Sequence, residues 1–353
     1  MKSNGLRITI IAASTLLTLS FAAAGDQRVR LLPKFTSGEV LRYEISTRST
    51  TSGTTTSPIE NPEGASRLKQ SADMIIRLDI LDAQPPTTAA LGRVHLRATY
   101  EKSDATSETD AYDPKAAAIA DQYARLLGRS IEFTIESDGK LSSVTGLEDI
   151  LSNPSMAQSV RSWMTGLSSG AGFPQGGIAL NQKWTNEQPL LSTPLAGLVW
   201  RTDSTYLRNE PCRATESTQA GVAAPAADTP LVASESCAVI LIRFEILRRG
   251  SRDDLTPEDY RRNSLRTSGT WAGKGESLDS ISLSTGMVIS STQTSTQDIN
   301  LQITSTRSGS RMLYTGHVET QTEIRLLPPA PIQSPAQPSS IDPSSRPPLP
   351  RPY

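Results

Sequence analysis

The stretch at residues 94–100 reads VHLRATY, in which apolar and polar side chains alternate strictly. Successive side chains of a β-strand point to opposite faces, so this stretch predicts a strand with one buried and one solvated face. The same alternation occurs at residues 41–46 and 74–80. Further strand-like segments occur in the second half of the chain at 198–207, 238–247, 265–271, 281–283, 287–294, 299–305 and 312–327. Strands therefore dominate the predicted secondary structure.

The predicted fold class is α+β, mainly β. Long curved antiparallel sheets are expected to form a half-barrel-like core, with two or three helices packed on it. The first helix spans residues 113–128, because an Asp-Pro pair favours its start and Gly128 favours its end. Helical spacing places Tyr123 and Leu127 on its apolar side.

Two further helices are predicted later in the chain. One begins at residues 153–154, where Asn-Pro favours a helix start. Its apolar residues follow helical spacing and form a stripe. The members of this stripe are Met156, Val160, Trp163, Met164 and Leu167. A short helix is predicted after Thr256 and Pro257, with Arg261 and Arg262 near its end, where basic residues favour the helix dipole.

Two connections between strands have recognisable turn chemistry. A hairpin is predicted over residues 131–144, with Asp138-Gly139 as its turn. Residues 49–64 are dense in Ser, Thr and Pro, which predicts a low-complexity loop between the first two strands.

Four segments follow one another along the chain. Residues 1–24 predict a secretory signal peptide, because a basic start precedes an apolar run and a small-residue cleavage site. Residues 25–169 predict an N-terminal β half with a helical insert. A glycine-rich break begins the predicted C-terminal β half, residues 170–327, which we expect to be continuous with the first half. Residues 328–353 are rich in proline and predict a disordered tail.

The predicted signal peptide fixes the expected compartment. We expect an extracytoplasmic protein, periplasmic or secreted, that is cleaved after Ala24. No later segment is long and apolar enough to predict a transmembrane span in the mature chain. In an oxidising compartment the two cysteines, Cys212 and Cys237, predict a disulfide at the base of the loop between them. Two free buried thiols are the alternative.

The composition argues against several classes of function. The formal net charge is −1 and no basic stripe is present, so nucleic-acid binding is not expected. The chain has 2 histidines, His95 and His317, each on the polar side of a predicted strand. A histidine-based catalytic triad or metal site therefore lacks residues. We predict no cofactor and no metal.

Short motifs that match catalytic ones occur in the wrong context. Residues 166–170 fit G-x-S-x-G, but a predicted helix precedes the serine where a nucleophile elbow needs a strand. Carboxylates cluster at residues 253–254 and 258–259, and Glu276 and Asp279 lie close in sequence, which leaves carboxylate chemistry open. Acidic residues beside a helix start commonly cap the helix, so we predict no catalytic residues.

Three segments carry a resemblance to a known family. Residues 32–43 read LPKFTSGEVLRY. The second segment begins with Phe-Pro at 173–174, continues through Ile178, Leu180 and Trp184, and ends in a strand with Tyr206. Residues 269–291 contain GTW followed by a Thr-Gly turn. In this order they resemble a family of uncharacterised secreted bacterial β-rich proteins. The resemblance spans most of residues 30–327, except that Asn-Gln at 181–182 stands where the family has Gly-Asp. The strand pattern is also similar to periplasmic lipoprotein-carrier half-barrels, at the level of fold alone.

Two classes of function fit these predictions. The first is a non-catalytic binding protein for a lipid or another hydrophobic small molecule, with the stripe on the second helix as its apolar groove. The second is a structural or interaction protein of the cell envelope that uses the proline-rich tail as a spacer. An enzyme is a third alternative, restricted to carboxylate or serine chemistry.

Overall fold

A single antiparallel sheet of 11 strands organises the computed structural model of the chain. The structure describes residues 28–56, 64–85, 92–110, 120–136, 140–150, 160–161, 164, 172–174, 176–190, 193–212, 235–250 and 254–328. The predicted signal peptide, the Asp138-Gly139 turn and all of the proline-rich tail beyond Pro328 lie outside these residues.

The strand order shows how the two halves of the chain share this sheet. The order is β5-β4-β3-β2-β1-β11-β10-β9-β8-β7-β6, so β1 pairs with β11 and the two halves meet at the centre. Strands β5 and β6 end the sheet, which is not closed. The strands are β1 (Val40–Thr56), β2 (Gly64–Ala83), β3 (Val94–Thr109), β4 (Ser130–Ile135), β5 (Leu141–Thr145), β6 (Lys183–Pro189), β7 (Leu198–Pro211), β8 (Ser236–Arg248), β9 (Leu265–Ser282), β10 (Val288–Ser305) and β11 (Arg311–Leu326). The predicted mainly β, half-barrel-like fold class is confirmed.

Several strands extend beyond their predicted ends. The loop predicted from residue 49 is wrong, because β1 continues to Thr56 and β2 already begins at Gly64. Strand β1 has β2 on one side and β11 on the other, so its backbone groups are paired although its side chains are polar. Likewise β9 and β10 each join two predicted strands into one. The linking stretches are polar on both faces and therefore lack the alternation that predicts a strand.

Helical structure is sparse in the part of the chain that the structure describes. Helix α1 spans Leu147–Ile150, and α2 spans Glu258–Arg262 with Arg261 and Arg262 in its last turn, as predicted. Residues 120–124 are also helical, as are residues 160, 161 and 164 within the second predicted helix. No described helix is long and apolar enough to cross a membrane.

The first predicted helix ends earlier than its sequence pattern indicated. Residues 125–128 form a turn, and the Leu127 N–H donates to Ala124 O, three residues back instead of four. This change of spacing rotates the chain, so Leu126 is 1% exposed and Leu127 is 58% exposed. The prediction that Leu127 lies on the apolar side is therefore wrong.

Alternation along the strands gives the sheet two chemically different faces. The apolar face is the one that carries Leu41, Tyr43 and Ile45 of β1, and the polar face carries Arg42 and Glu44. On the apolar face, the N-terminal strands form the largest hydrophobic cluster, into which Leu126, Leu147 and Met164 also pack. We call this the N-terminal cluster.

Candidate functional site

The polar face carries a row of charged residues that crosses the C-terminal strands. Cross-strand pairing aligns Glu276 on β9 with Arg243 on β8, and Arg243 with Asp203 on β7. Arg243 lies 3.9 Å from Glu276, and Arg201 Nη2 donates to Asp203 Oδ1 at 3.2 Å. Hydrogen bonds from Thr185 and Arg201 hold the pKa of the Asp203 carboxyl below its usual value.

A groove of about 800 Å³ lies on this face between β1 and β7. Apart from Phe244 and Gly275, its lining residues are hydroxyl-bearing, amide or charged. The charged members are Arg48, Arg243, Lys274, Asp203, Glu245, Glu276 and Glu319. The three basic and four acidic residues nearly cancel, so the groove prefers neither anions nor cations strongly. This balance of exposed charges is typical of a solvated sheet face.

His317 lies in a second groove of the polar face, of about 670 Å³. Its Nδ1 is 2.7 Å from Asp298 Oδ1 and its Nε2 is 3.4 Å from Glu319 Oε1. These two carboxylates raise the pKa of the imidazole and favour its charged form. Ser52 is opposite His317 in the β1–β11 pairing, but both ring nitrogens face carboxylates instead of the hydroxyl. This geometry does not provide the nucleophile and base of a serine hydrolase.

The N-terminal half of the apolar face is closed. Leu78, Leu96, Ile131 and Phe133 are each 0% exposed. Met164, from the second predicted helix, is also 0% exposed and packs directly into this cluster. This half is therefore filled with side chains and behaves as a core.

The C-terminal half of the apolar face is covered unevenly, because Ile240 and Ile281 are 0% and 2% exposed whereas Trp271 and Ile299 are half-buried. It carries two smaller clusters, one around Ile240 and Ile281 and the other around Ile246 and Leu301. Half-buried apolar residues surround both clusters. They include Trp184, Ile242 and Val288 in the first and Trp200, Trp271, Ile299 and Tyr314 in the second. We call these the Ile240 cluster and the Leu301 cluster.

Aromatic rings form one wall of the C-terminal half. Trp200 stacks on Phe244 with a ring-centroid distance of 4.8 Å and an interplanar angle of 24°. The indole Nε1 of Trp271 donates to Gln297 Oε1 at 3.0 Å, which fixes the ring next to Ile299. Rings that keep part of their surface open are suited to contact with an apolar ligand.

The predicted apolar groove is described only in part. Met164 is buried and Val160 is half-buried, and both pack with the N-terminal cluster. Met156, Trp163 and Leu167 lie outside the described residues. The groove on this helix therefore stays a prediction.

Asp279 on β9 lies on the apolar face, next to the Ile240 cluster. Cross-strand pairing places it between Ile240 on β8 and Ser291 on β10. Its carboxylate accepts a hydrogen bond from Ser291 Oγ at 2.7 Å and another from Ser277 Oγ. Burial raises the pKa of Asp279, and the two hydroxyl donors oppose this effect. The residue is half-buried in mainly apolar surroundings.

The candidate carboxylate pair of Glu276 and Asp279 does not form. The two residues are three positions apart on one strand, so their side chains lie on opposite faces of the sheet. Within the described residues, no three metal-ligating side chains come together. Asp254 is hydrogen-bonded to the Thr256 N–H at 3.0 Å, beside helix α2, which is a local turn contact.

The two cysteines meet at the end of the β7–β8 hairpin. Their sulfur atoms are 2.10 Å apart and their Cα atoms 5.0 Å apart, which is a disulfide. The Cys212 N–H donates to Glu235 O at 2.9 Å, so the hairpin ladder continues up to the bridge. Cys237 is fully buried.

The turn before Trp184 explains how the chain accommodates asparagine where the resembled family has glycine. Asn181 has a φ of 63°, in the left-handed region that glycine and asparagine tolerate best. Gln182 Oε1 accepts the Ala179 N–H at 3.0 Å and closes the turn. The substitution is therefore compatible with this backbone.

Comparison of the chain with models of known protein families gives no match, and comparison with curated proteins gives none. The resemblance to secreted bacterial β-rich proteins therefore stays a prediction. The functional proposal depends on the geometry of the sheet.

Proposed function

We propose that the protein is a secreted or periplasmic, non-catalytic binding protein that holds a hydrophobic ligand on the C-terminal half of the apolar face. The observation that supports this proposal is the difference in burial between the N-terminal cluster and the Leu301 cluster of the same face. Leu96 and Phe133 are 0% exposed, whereas Trp200, Trp271 and Ile299 remain half-buried. A tightly packed core would bury Ile299 fully, since isoleucine is among the residues most often fully buried.

The energetics of burial favour a ligand at this place. Covering apolar surface stabilises a complex by about 25 cal/mol per Å². A ligand that removed the remaining exposure of Trp200, Trp271, Ile299 and Tyr314 would gain this energy without reorganising the sheet. The N-terminal half, which is already filled, supplies a rigid support for the site. The alternative of an envelope spacer depends on residues 328–353, of which the structure describes only Pro328.

Binding of the apolar fluorescent probe N-phenyl-1-naphthylamine tests the proposal. We expect the purified protein to enhance the fluorescence of the probe and Ile299→Asn to weaken binding at least about 5-fold, because the amide replaces apolar contact surface at a half-buried position. Leu278→Asn is the matched control, since Leu278 is 43% exposed on the polar face. Circular dichroism confirms that both variants are folded. Absence of binding by the unmodified protein, or equal affinities of the two variants, would contradict the proposal.

A further inference from the structure

The apolar face carries one acidic side chain in its described strands, and that side chain is Asp279. Its neighbours on the same face of β9 are Ser277 and Ile281. Other inward positions nearby are apolar, hydroxyl-bearing or amide residues, such as Ile242, Gln293 and Ile324. The carboxyl group is therefore the distinguishing chemical feature of this surface.

No basic side chain pairs with Asp279 among the described residues. The strand alternation places one basic residue, Arg248, on the same face, at the last position of β8. Arg248 is eight residues along β8 from Ile240, the cross-strand partner of Asp279, which is about 26 Å. It is too distant to neutralise the carboxylate, so the two serine hydroxyls are its described partners.

Without a bound ligand, an ionised carboxyl group in this environment lowers the stability of the folded protein. Two neutral hydroxyl donors replace only part of the hydration that burial removes from a carboxylate. Since an asparagine would satisfy the same two serines without a charge, local hydrogen bonding does not require an acid here. A buried carboxyl with a raised pKa and no described cationic partner is a recognised sign of a functional position.

The chemistry of the site indicates which kind of cation complements it. A metal ion needs several ligating side chains, and no such group is found in the described part of the chain. An organic ammonium needs one carboxylate and accepts neighbouring hydroxyl oxygens as further partners. The half-buried side chains of Ile242 and Ile324, which lie near Asp279 on this face, suit a hydrocarbon chain attached to that ammonium.

We propose that the hydrophobic ligand of this protein is a cationic amphiphile, whose amino group binds Asp279 while its hydrocarbon part runs over Ile242 toward the stacked rings of Phe244 and Trp200. This inference rests on the proposed function and adds the charge of the ligand to it. The amine supplies a counter-charge that no described residue near Asp279 provides, and burial strengthens the resulting ion pair.

Competition with N-phenyl-1-naphthylamine tests the inference. Dodecylamine and 1-dodecanol have the same hydrocarbon chain, and both are used at pH 7 below the concentrations at which they aggregate. We expect dodecylamine to displace the probe from the unmodified protein at a concentration at least about 10-fold lower than 1-dodecanol. Asp279→Asn should reduce this preference to about 1-fold, because it removes the charge and keeps the hydrogen bonds to Ser277 and Ser291.

The control variant is Glu276→Gln on the same strand. It removes one negative charge from the polar face, so we expect the preference for the amine to remain. If the probe binds but the unmodified protein does not prefer dodecylamine, or if Asp279→Asn keeps the preference, the inference is wrong and the proposed function stands. If the probe does not bind to the unmodified protein, both are wrong.

Discussion

Asp279 shows how a single residue can conflict with its surroundings and still be held in place. The hydroxyls of Ser277, on the same strand, and Ser291, on the neighbouring strand, both donate to its Oδ1. Ile240 and Ile281 limit its hydration. The raised pKa of Asp279 means that the folded protein binds a proton here more tightly than the unfolded chain does.

The pH dependence of stability follows from this difference in proton binding. The contribution of Asp279 to the free energy of unfolding is fully present below pH about 4, the unfolded pKa, and is lost as the pH rises through the folded pKa. We therefore expect Asp279→Asn to remove this loss, so that the variant gains stability relative to the unmodified protein as the pH rises from about 3.5 to 7. Urea unfolding at several pH values measures the difference. A difference that does not change with pH would contradict the assignment.

Gly275 is a second residue whose identity is restricted by its neighbours, because they leave no space for a side chain. A Cβ atom at this position would lie 2.4 Å from the ring of Phe244 on β8 and 2.3 Å from Thr294 O. The phenyl ring therefore lies directly over the glycine, and Trp200 stacks on that ring. A side chain at position 275 would displace the aromatic wall of the proposed ligand site.

At the scale of elements, the β7–β8 hairpin depends on the disulfide that closes its far end. The bridge joins Cys212, just after β7, to Cys237 at the start of β8, with a sequence separation of 25. It holds the two strand ends together at the point where the described part of the hairpin ends. Strand β8 supplies Phe244, on which Trp200 of the proposed ligand site stacks, and Ile246, which packs in the Leu301 cluster.

Removing the bridge should destabilise the protein without changing its ligand chemistry. We expect the double variant Cys212→Ser with Cys237→Ser to lose about 3–4 kcal/mol of unfolding free energy, by the chain-entropy estimate for a loop of this length. Urea denaturation with and without reductant measures this loss. Reductant should destabilise the unmodified protein and leave the double variant unchanged. Equal stability of the two proteins under oxidising conditions would contradict a structural role.

Elements could be predicted from sequence where one face is apolar and the other polar. Strands β1 and β3 were recognisable for this reason at Leu41–Ile45 and at residues 94–100. The second part of β1, up to Thr56, was not recognisable, because threonine and serine occupy both of its faces. Its strand conformation comes from pairing with β2 and β11, which are distant in sequence.

The whole molecule is organised by the pairing of β1 with β11. This ladder runs from Tyr43 and Leu326 to Thr56 and Leu313 and joins the two halves of the chain into one sheet. No local sequence pattern indicates that the first and last strands are neighbours. For the same reason the sequence did not show that Asp279 faces the Ile240 cluster. That position depends on strand order, and the central part of β9 is polar on both faces.

A proline in β1 tests whether the two halves form one cooperative unit. The Leu327 N–H donates to Arg42 O, and bonding alternates along an antiparallel ladder, so the N–H of Thr50 also faces β11. Thr50→Pro should therefore lower the free energy of unfolding by roughly 2–4 kcal/mol. We expect circular dichroism and tryptophan fluorescence to report a single common urea transition in the unmodified protein.

Two variants serve as controls for this experiment. Thr50→Ala removes the side chain and keeps the N–H, and Lys183→Pro places proline at the first residue of the edge strand β6, where proline is tolerated. Each variant should lower the free energy of unfolding by less than about 1 kcal/mol. Separate transitions for the two probes in the unmodified protein would show that the halves unfold independently.

The central position of β1 also has a kinetic consequence, because a protein is synthesised from its N-terminal end. Strands β1 to β5 are neighbours in sequence order and can pair soon after they appear, but the other edge of β1 must wait for β11, the last strand to be made. Until then, β1 presents an unpaired row of backbone groups that can associate with another chain. The serine, threonine and arginine side chains that made the second part of β1 resemble a loop are poorly suited to such association. The serine- and threonine-rich composition that makes this part of β1 difficult to predict as a strand thus also lowers its tendency to aggregate while the sheet is incomplete.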